Sequence, residues 1–131
     1  MSKTIRIGLV ALVGALSFGG HSDAAPGGCT NDQWLTPFAF ETLTVSSTAL
    51  GFTAAVAFPA GGPKAALAVV TTETDDVRYR ADGLNPTAAV GHLLDAPGVV
   101  TACGENSIRT VRFIRTTTDA TLSVSYYQRG N

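Results

Sequence analysis

The sequence predicts an all-β protein: a single antiparallel β-sandwich, or failing that a small barrel, of about seven or eight short strands with an irregular N-terminal arm. Three observations point there. Segments such as FETLTVS (residues 40–46) and ATLSVSYY (residues 120–127) alternate apolar and polar side chains, the mark of a half-buried strand. Breakers such as PAGGP, DG, NP and APG separate these segments roughly every ten residues. The composition is rich in alanine, threonine, valine and glycine, with only 15% charged residues, and no 3.6-residue period emerges beyond residue 24.

The elements follow in order. Residues 1–24 carry a short basic lead (Lys3, Arg6), an uncharged apolar run from Ile7 to Gly20 and small residues at Ser22 and Ala24. This is the layout of a secretory signal peptide, too short for a membrane span, so no stable span is expected once it is removed. Residues 25–39 (APGGCTNDQWLTPFA) form an irregular arm whose Trp34, Leu35 and Phe38 can pin it to a surface. The β domain occupies residues 40–131. Strands are expected at 40–46, 50–58, 65–71, 77–81, 92–94, 99–102, 108–116 and 120–127. The segment 49–57 has some helical character, but Gly51, Thr53 and Val56 argue for a strand. Val77, Tyr79 and Ala81 share one face of their strand, with Arg78, Arg80 and Asp82 on the other. The segment around Phe113 is apolar on both faces through Val111, Phe113 and Ile114, which marks it as a central strand.

At 131 residues there is chain for one domain and one core. A net charge of −1 gives no general attraction to nucleic acid. The two cysteines, Cys29 and Cys103, form one disulfide if the chain is exported and remain buried thiols if it is not. Closing so long a loop contributes about 4 kcal/mol on the chain-entropy model.

No residue set points to catalysis, a cofactor or a metal. His92 is the single histidine after the leader and reads as a strand residue bonded to backbone. Glu73, Asp75, Asp76, Asp82 and Asp95 sit in turns and match no calcium-loop spacing. Arg78, Arg80, Arg109, Arg112 and Arg115 form a basic stripe if their strands are neighbours, or else pair with Asp75, Asp76, Asp82 or Glu105 on a solvated face.

The run VRYRADGLNPTAAVGHLL (residues 77–94), followed by SIRTVRFIRTTTDATLSVSYY (residues 107–127), resembles a family of small phage proteins encoded among virion genes. Its members share an opening like ETLTVSSTALGFTAA, an IRYR-DG--PT---GHLL core, an RFIR segment and a final L-V-YY strand. The resemblance covers about residues 40–128, and the order and spacing of the motifs carry it. The hairpin from Tyr79 to Thr87 is also similar to the Y-T-x-D-G-x-x-P-T signature of the Ig-like domain in chitobiases, with Arg80 at the threonine position. Both resemblances imply an Ig-like sandwich without catalytic residues in this hairpin. The expected function is therefore a non-enzymatic virion structural protein: a capsid, tail or fibre decoration protein or adaptor, in contact with other virion proteins or copies of itself. Trp34, Phe38, Arg78, Arg80 and Arg112 are the expected partner contacts. The alternative is a secreted accessory or carbohydrate-binding module using Trp34, Tyr126 and Tyr127. Localisation follows the same choice, virion or extracellular.

Overall fold

The computed structural model describes residues 34–130. Seven strands and two short helices follow in the order β1 (Leu35–Val45), α1 (Ala54–Ala57), β2 (Leu67–Thr72), β3 (Val77–Arg80), β4 (His92–Leu94), β5 (Val99–Cys103), α2 (Glu105–Thr110), β6 (Arg112–Arg115) and β7 (Ala120–Arg129). They form two antiparallel sheets, a four-stranded one in the order β1-β7-β2-β5 and a three-stranded one in the order β4-β3-β6. This is the all-β sandwich that the alternation predicts.

Its connectivity is a hairpin rolled up on itself. The pairings nest: β1 with β7, Leu50 with Phe113 on β6, β2 with β5, and β3 with β4. Successive pairs alternate between the two sheets, which is the winding of a jelly roll. An immunoglobulin sandwich instead places its first strand beside its second, within the order A-B-E-D. Here β7 lies between β1 and β2, so the Ig-like strand order expected from the resemblances gives way to the rolled one. The second strand of the roll has shrunk to the single bridging residue Leu50, whose N–H and carbonyl both bond Phe113 (2.9 and 2.8 Å). Gly51 follows, and its missing side chain leaves room for the Arg112 guanidinium, which a Cβ there would meet at 2.6 Å. The chain then turns through α1, and the strand expected across residues 50–58 does not form.

Three other elements differ from expectation. Residues 35–39 belong to β1 rather than to the arm; Pro37 is accommodated because β1 is an edge strand with a register shift between Pro37 and Ala39. Residues 105–110 form α2, opened by Gly104 at φ +84°, so the strand expected from 108 starts only at Arg112. β6 is an edge strand, and its second apolar face is explained by the Leu50 bridge beside it.

Alternation fills the core. Leu122, Val124 and Tyr126 on β7, Ala68, Val70 and Thr72 on β2, Val77 on β3 and Phe113 on β6 are fully buried. Aromatic rings join the two sheets: Phe52 lies 5.5 Å from Phe113 and 5.7 Å from Tyr126, and Tyr79 lies 6.2 Å from Phe113. These centroid spacings are in the range where ring pairs attract beyond simple burial. The hydroxyl of the fully buried Thr72 donates to the Asp75 carbonyl at 2.7 Å.

Candidate functional site

The hairpin β3–β4 and its long loop are built as the DG and NPT residues suggest. Val77 pairs with Leu94, Arg78 with Leu93 and Tyr79 with His92. Asp82 Oδ1 accepts the Leu84 N–H at 3.2 Å and Gly83 takes φ +83°, completing the turn. Thr87 Oγ1 accepts the Val90 N–H at 3.0 Å. Val77 and Tyr79 point inward as expected, whereas Ala81 lies past the end of the strand and is exposed. His92 is exposed and lies 5.2 Å from the Tyr79 ring, ring against ring, rather than buried and bonded to backbone. Its position on a three-residue edge strand explains the difference.

The arginines do not form an open stripe. Arg80 and Arg112 face each other across β3 and β6, with Arg78 beside them. Each guanidinium is engaged nearby. Arg78 donates to the carbonyls of Ala88 and Gly91, both at 2.9 Å, and so fastens the loop to its own hairpin. Arg80 pairs with Asp82, and hydrogen bonding to that guanidinium holds the Asp82 carboxyl below its usual range. Arg112 donates to the carbonyls of Arg109 and Val111, both at 2.9 Å. Arg109 bonds Glu105 at 2.7 Å, lowering that carboxyl in the same way, and lies 3.8 Å over the Phe58 ring. Arg115 pairs with Asp119. No group of three or more histidine, cysteine, aspartate or glutamate side chains converges among the described residues.

The expected aromatic contacts separate into two kinds. Trp34 is 87% exposed, and among the described residues its carbonyl accepts the Gly130 N–H at 2.7 Å. Phe38 instead is half-buried, packed against the core 6.4 Å from the Tyr126 ring, and so helps anchor β1. Tyr126 is fully buried and donates its hydroxyl to Glu41 Oε1, which also accepts the Thr53 N–H at 3.1 Å. A sugar cannot stack on it. Cys103 is buried at the end of β5, and Cys29, the other half of the expected bridge, lies outside the described residues.

One surface was not singled out from the sequence: the outer face of the four-stranded sheet. Register places Phe40, Thr42 and Thr44 of β1 beside Ser125, Ser123 and Thr121 of β7. Val69 and Thr71 of β2 follow, opposite Thr101 and Val99 of β5. None of these residues is charged, and Phe40 and Val99 at its two margins are 60% and 62% exposed. The edge of β1, which no other described strand pairs, borders this face, with Trp34 and Leu35 exposed at one end. The signal was present in the sequence, since the outward positions of TLT, VVT and SVS are threonine, serine or valine rather than charged residues.

The chain matches no protein-family model, no curated protein and no solved structure. Among the described residues no helix is long and apolar enough to cross a membrane.

Proposed function

We propose that this chain is a non-enzymatic virion structural protein that joins its neighbours, other virion proteins or copies of itself, through the outer face of the four-stranded sheet. The observation that carries this reading is the charge-free face running from Phe40 and Thr42 across Ser125 and Val69 to Thr101, bordered by the edge of β1 that no other described strand pairs. Protein interfaces are marked by depletion of charge at their centre and by exposed aromatics such as Trp34 and Phe40. A long unpaired edge strand adds backbone groups that a neighbouring strand can bond. The jelly-roll winding recurs in viral capsid domains and in lectins, an analogy of fold that does not choose between them.

The N-terminal segments enter the same proposal. Cys103 stands at one corner of the face, in register with Leu67, and a bridge to Cys29 brings the arm to that rim. Export, with removal of residues 1–24, belongs to the second reading, a secreted binding module; an intact mass that starts at Ala25 favours it.

The test inserts charge into the face. Ser125→Lys and Thr42→Glu lie on the outer side of the sheet and are expected to leave the fold intact, as circular dichroism would show. Both variants, and Trp34→Ala, are expected to lose incorporation into virus particles in a complementation assay. Wild-type incorporation of folded Ser125→Lys contradicts the proposal.

A further inference from the structure

The two sheets do not close on each other along the side formed by β4 and β5. A cavity of about 470 Å³ remains there, walled by Val70, Val100 and Ala102 from one sheet and by Tyr79 and Phe113 from the other. Phe52, Val111 and Ser107 also line it. The gap has a simple cause. Stacked sheets stand about 10 Å apart and are filled by side chains from both faces. On β5 the inward residues are Val100 and Ala102, too short to meet the rings of Tyr79 and Phe113. Opposite them His92 is exposed, so the cavity opens to solvent beside its imidazole.

The lining chemistry specifies an occupant. No aspartate, glutamate, lysine or arginine contributes to the wall, which excludes recognition of a charged group inside it. Three aromatic rings, Phe52, Tyr79 and Phe113, offer faces and edges for a flat ring to pack against. Of the polar residues in the lining, Tyr79, His92 and Ser107 make no side-chain hydrogen bond within the described residues, whereas Thr101 belongs to the outer face of its strand. A predominantly apolar cavity with a few convergent polar groups is the usual form of a small-molecule site. Atoms facing such a gap lack partners, so filling it recovers contacts that the empty protein forgoes.

We propose that this intersheet cavity binds a small, neutral, ring-bearing apolar molecule that carries a hydroxyl or carbonyl group. The ring lies between Tyr79, Phe113 and Ala102, and the polar group points towards His92 and the opening. The site meets the outer face of the four-stranded sheet only along β5, at Val99 and Thr101, so substitutions at Ser125 and Thr42 test the structural role without touching the cavity lining.

The probe is 2-naphthol, a neutral bicyclic ring with one hydroxyl, titrated into the full chain by calorimetry and by methyl NMR. Saturable binding is expected, with shifts centred on the methyl groups of Val70, Val100 and Val111 and a rise in melting temperature at saturation. Naphthalene-2-sulfonate, the charged counterpart, should bind at least about tenfold more weakly, because no cation lines the wall. Ala102→Phe fills the cavity from β5 and should abolish binding without lowering the melting temperature. If that variant does not fold, the NMR shifts of the wild type still decide. Shifts confined to other residues, equal binding of the sulfonate, undiminished binding by folded Ala102→Phe, or no saturation up to the solubility limit of 2-naphthol would each overturn the proposal.

Discussion

Replacing Tyr126 with phenylalanine isolates one buried polar contact. The Tyr126 ring is fully buried, with Phe52 and Phe38 against it, and its hydroxyl donates to Glu41 Oε1. Phenylalanine keeps the ring and removes the hydroxyl alone. A hydrogen bond to a charged group contributes about 1.5–3 kcal/mol, and the half-buried Glu41 loses one of its two donors. For a domain of this size each kcal/mol moves the melting temperature by about 4–8 °C, so a fall of at least about 6 °C is expected at pH 7.

The pH dependence gives a sharper reading. Burial, and then the hydrogen bond to Glu41, push the Tyr126 phenol far above its ordinary value. The unfolded chain releases this proton near pH 10 and the folded chain keeps it. The contribution is therefore fully present below about pH 10 and is lost as pH rises beyond it, by about 1.4 kcal/mol per pH unit relative to Tyr126→Phe. Urea unfolding of both proteins between pH 7 and 11 measures the difference. A Tyr126→Phe loss below about 0.5 kcal/mol, or parallel pH profiles, refutes the reasoning, since surface hydroxyls contribute about that little.

Other substitutions test other parts of the sandwich. Phe113→Ala removes a fully buried ring where the Leu50 bridge meets the core; a loss of about 3–5 kcal/mol in chemical denaturation is expected, much of the stability of such a domain. Gly91→Ala places a Cβ 3.0 Å from the Tyr79 carbonyl at φ +133°, and should cost about 1–3 kcal/mol by thermal unfolding. Arg78→Ala removes both bonds that fasten the loop, so hydrogen exchange at Leu84 and Ala89 should speed up while Val70 and Val124 stay protected.

Much of the fold was legible because local alternation determines it. His92–Leu94 and the start of β7 fall where the pattern places them, and Asp82-Gly83 turns the chain for the reason its residues suggest. The rolled order was not legible, because it depends on long-range pairings such as Leu35 with Arg129, which no local pattern encodes. Short helices escaped for a related reason. ENSIRT spans less than two turns and shows no period, and its start is set by Gly104, whose positive φ is a property of the folded backbone. Pro37 suggested irregular chain, yet an edge strand tolerates a missing N–H. Of the expected contact residues, Trp34 is presented to solvent, whereas Phe38 packs against the core and the arginines bond local carbonyls and carboxylates. The charge-free face became visible only once register had set the Ser/Thr alternations of β1 and β7 beside Val69 and Thr71 of β2 and Val99 and Thr101 of β5.

The most direct test of the structural role is quantitative mass spectrometry of purified virus particles, with the copy number of this chain measured against the major coat protein. A fixed ratio that survives stringent gradient purification is the predicted result. Recovery of the chain only in the soluble fraction, with none in the particles, would contradict it.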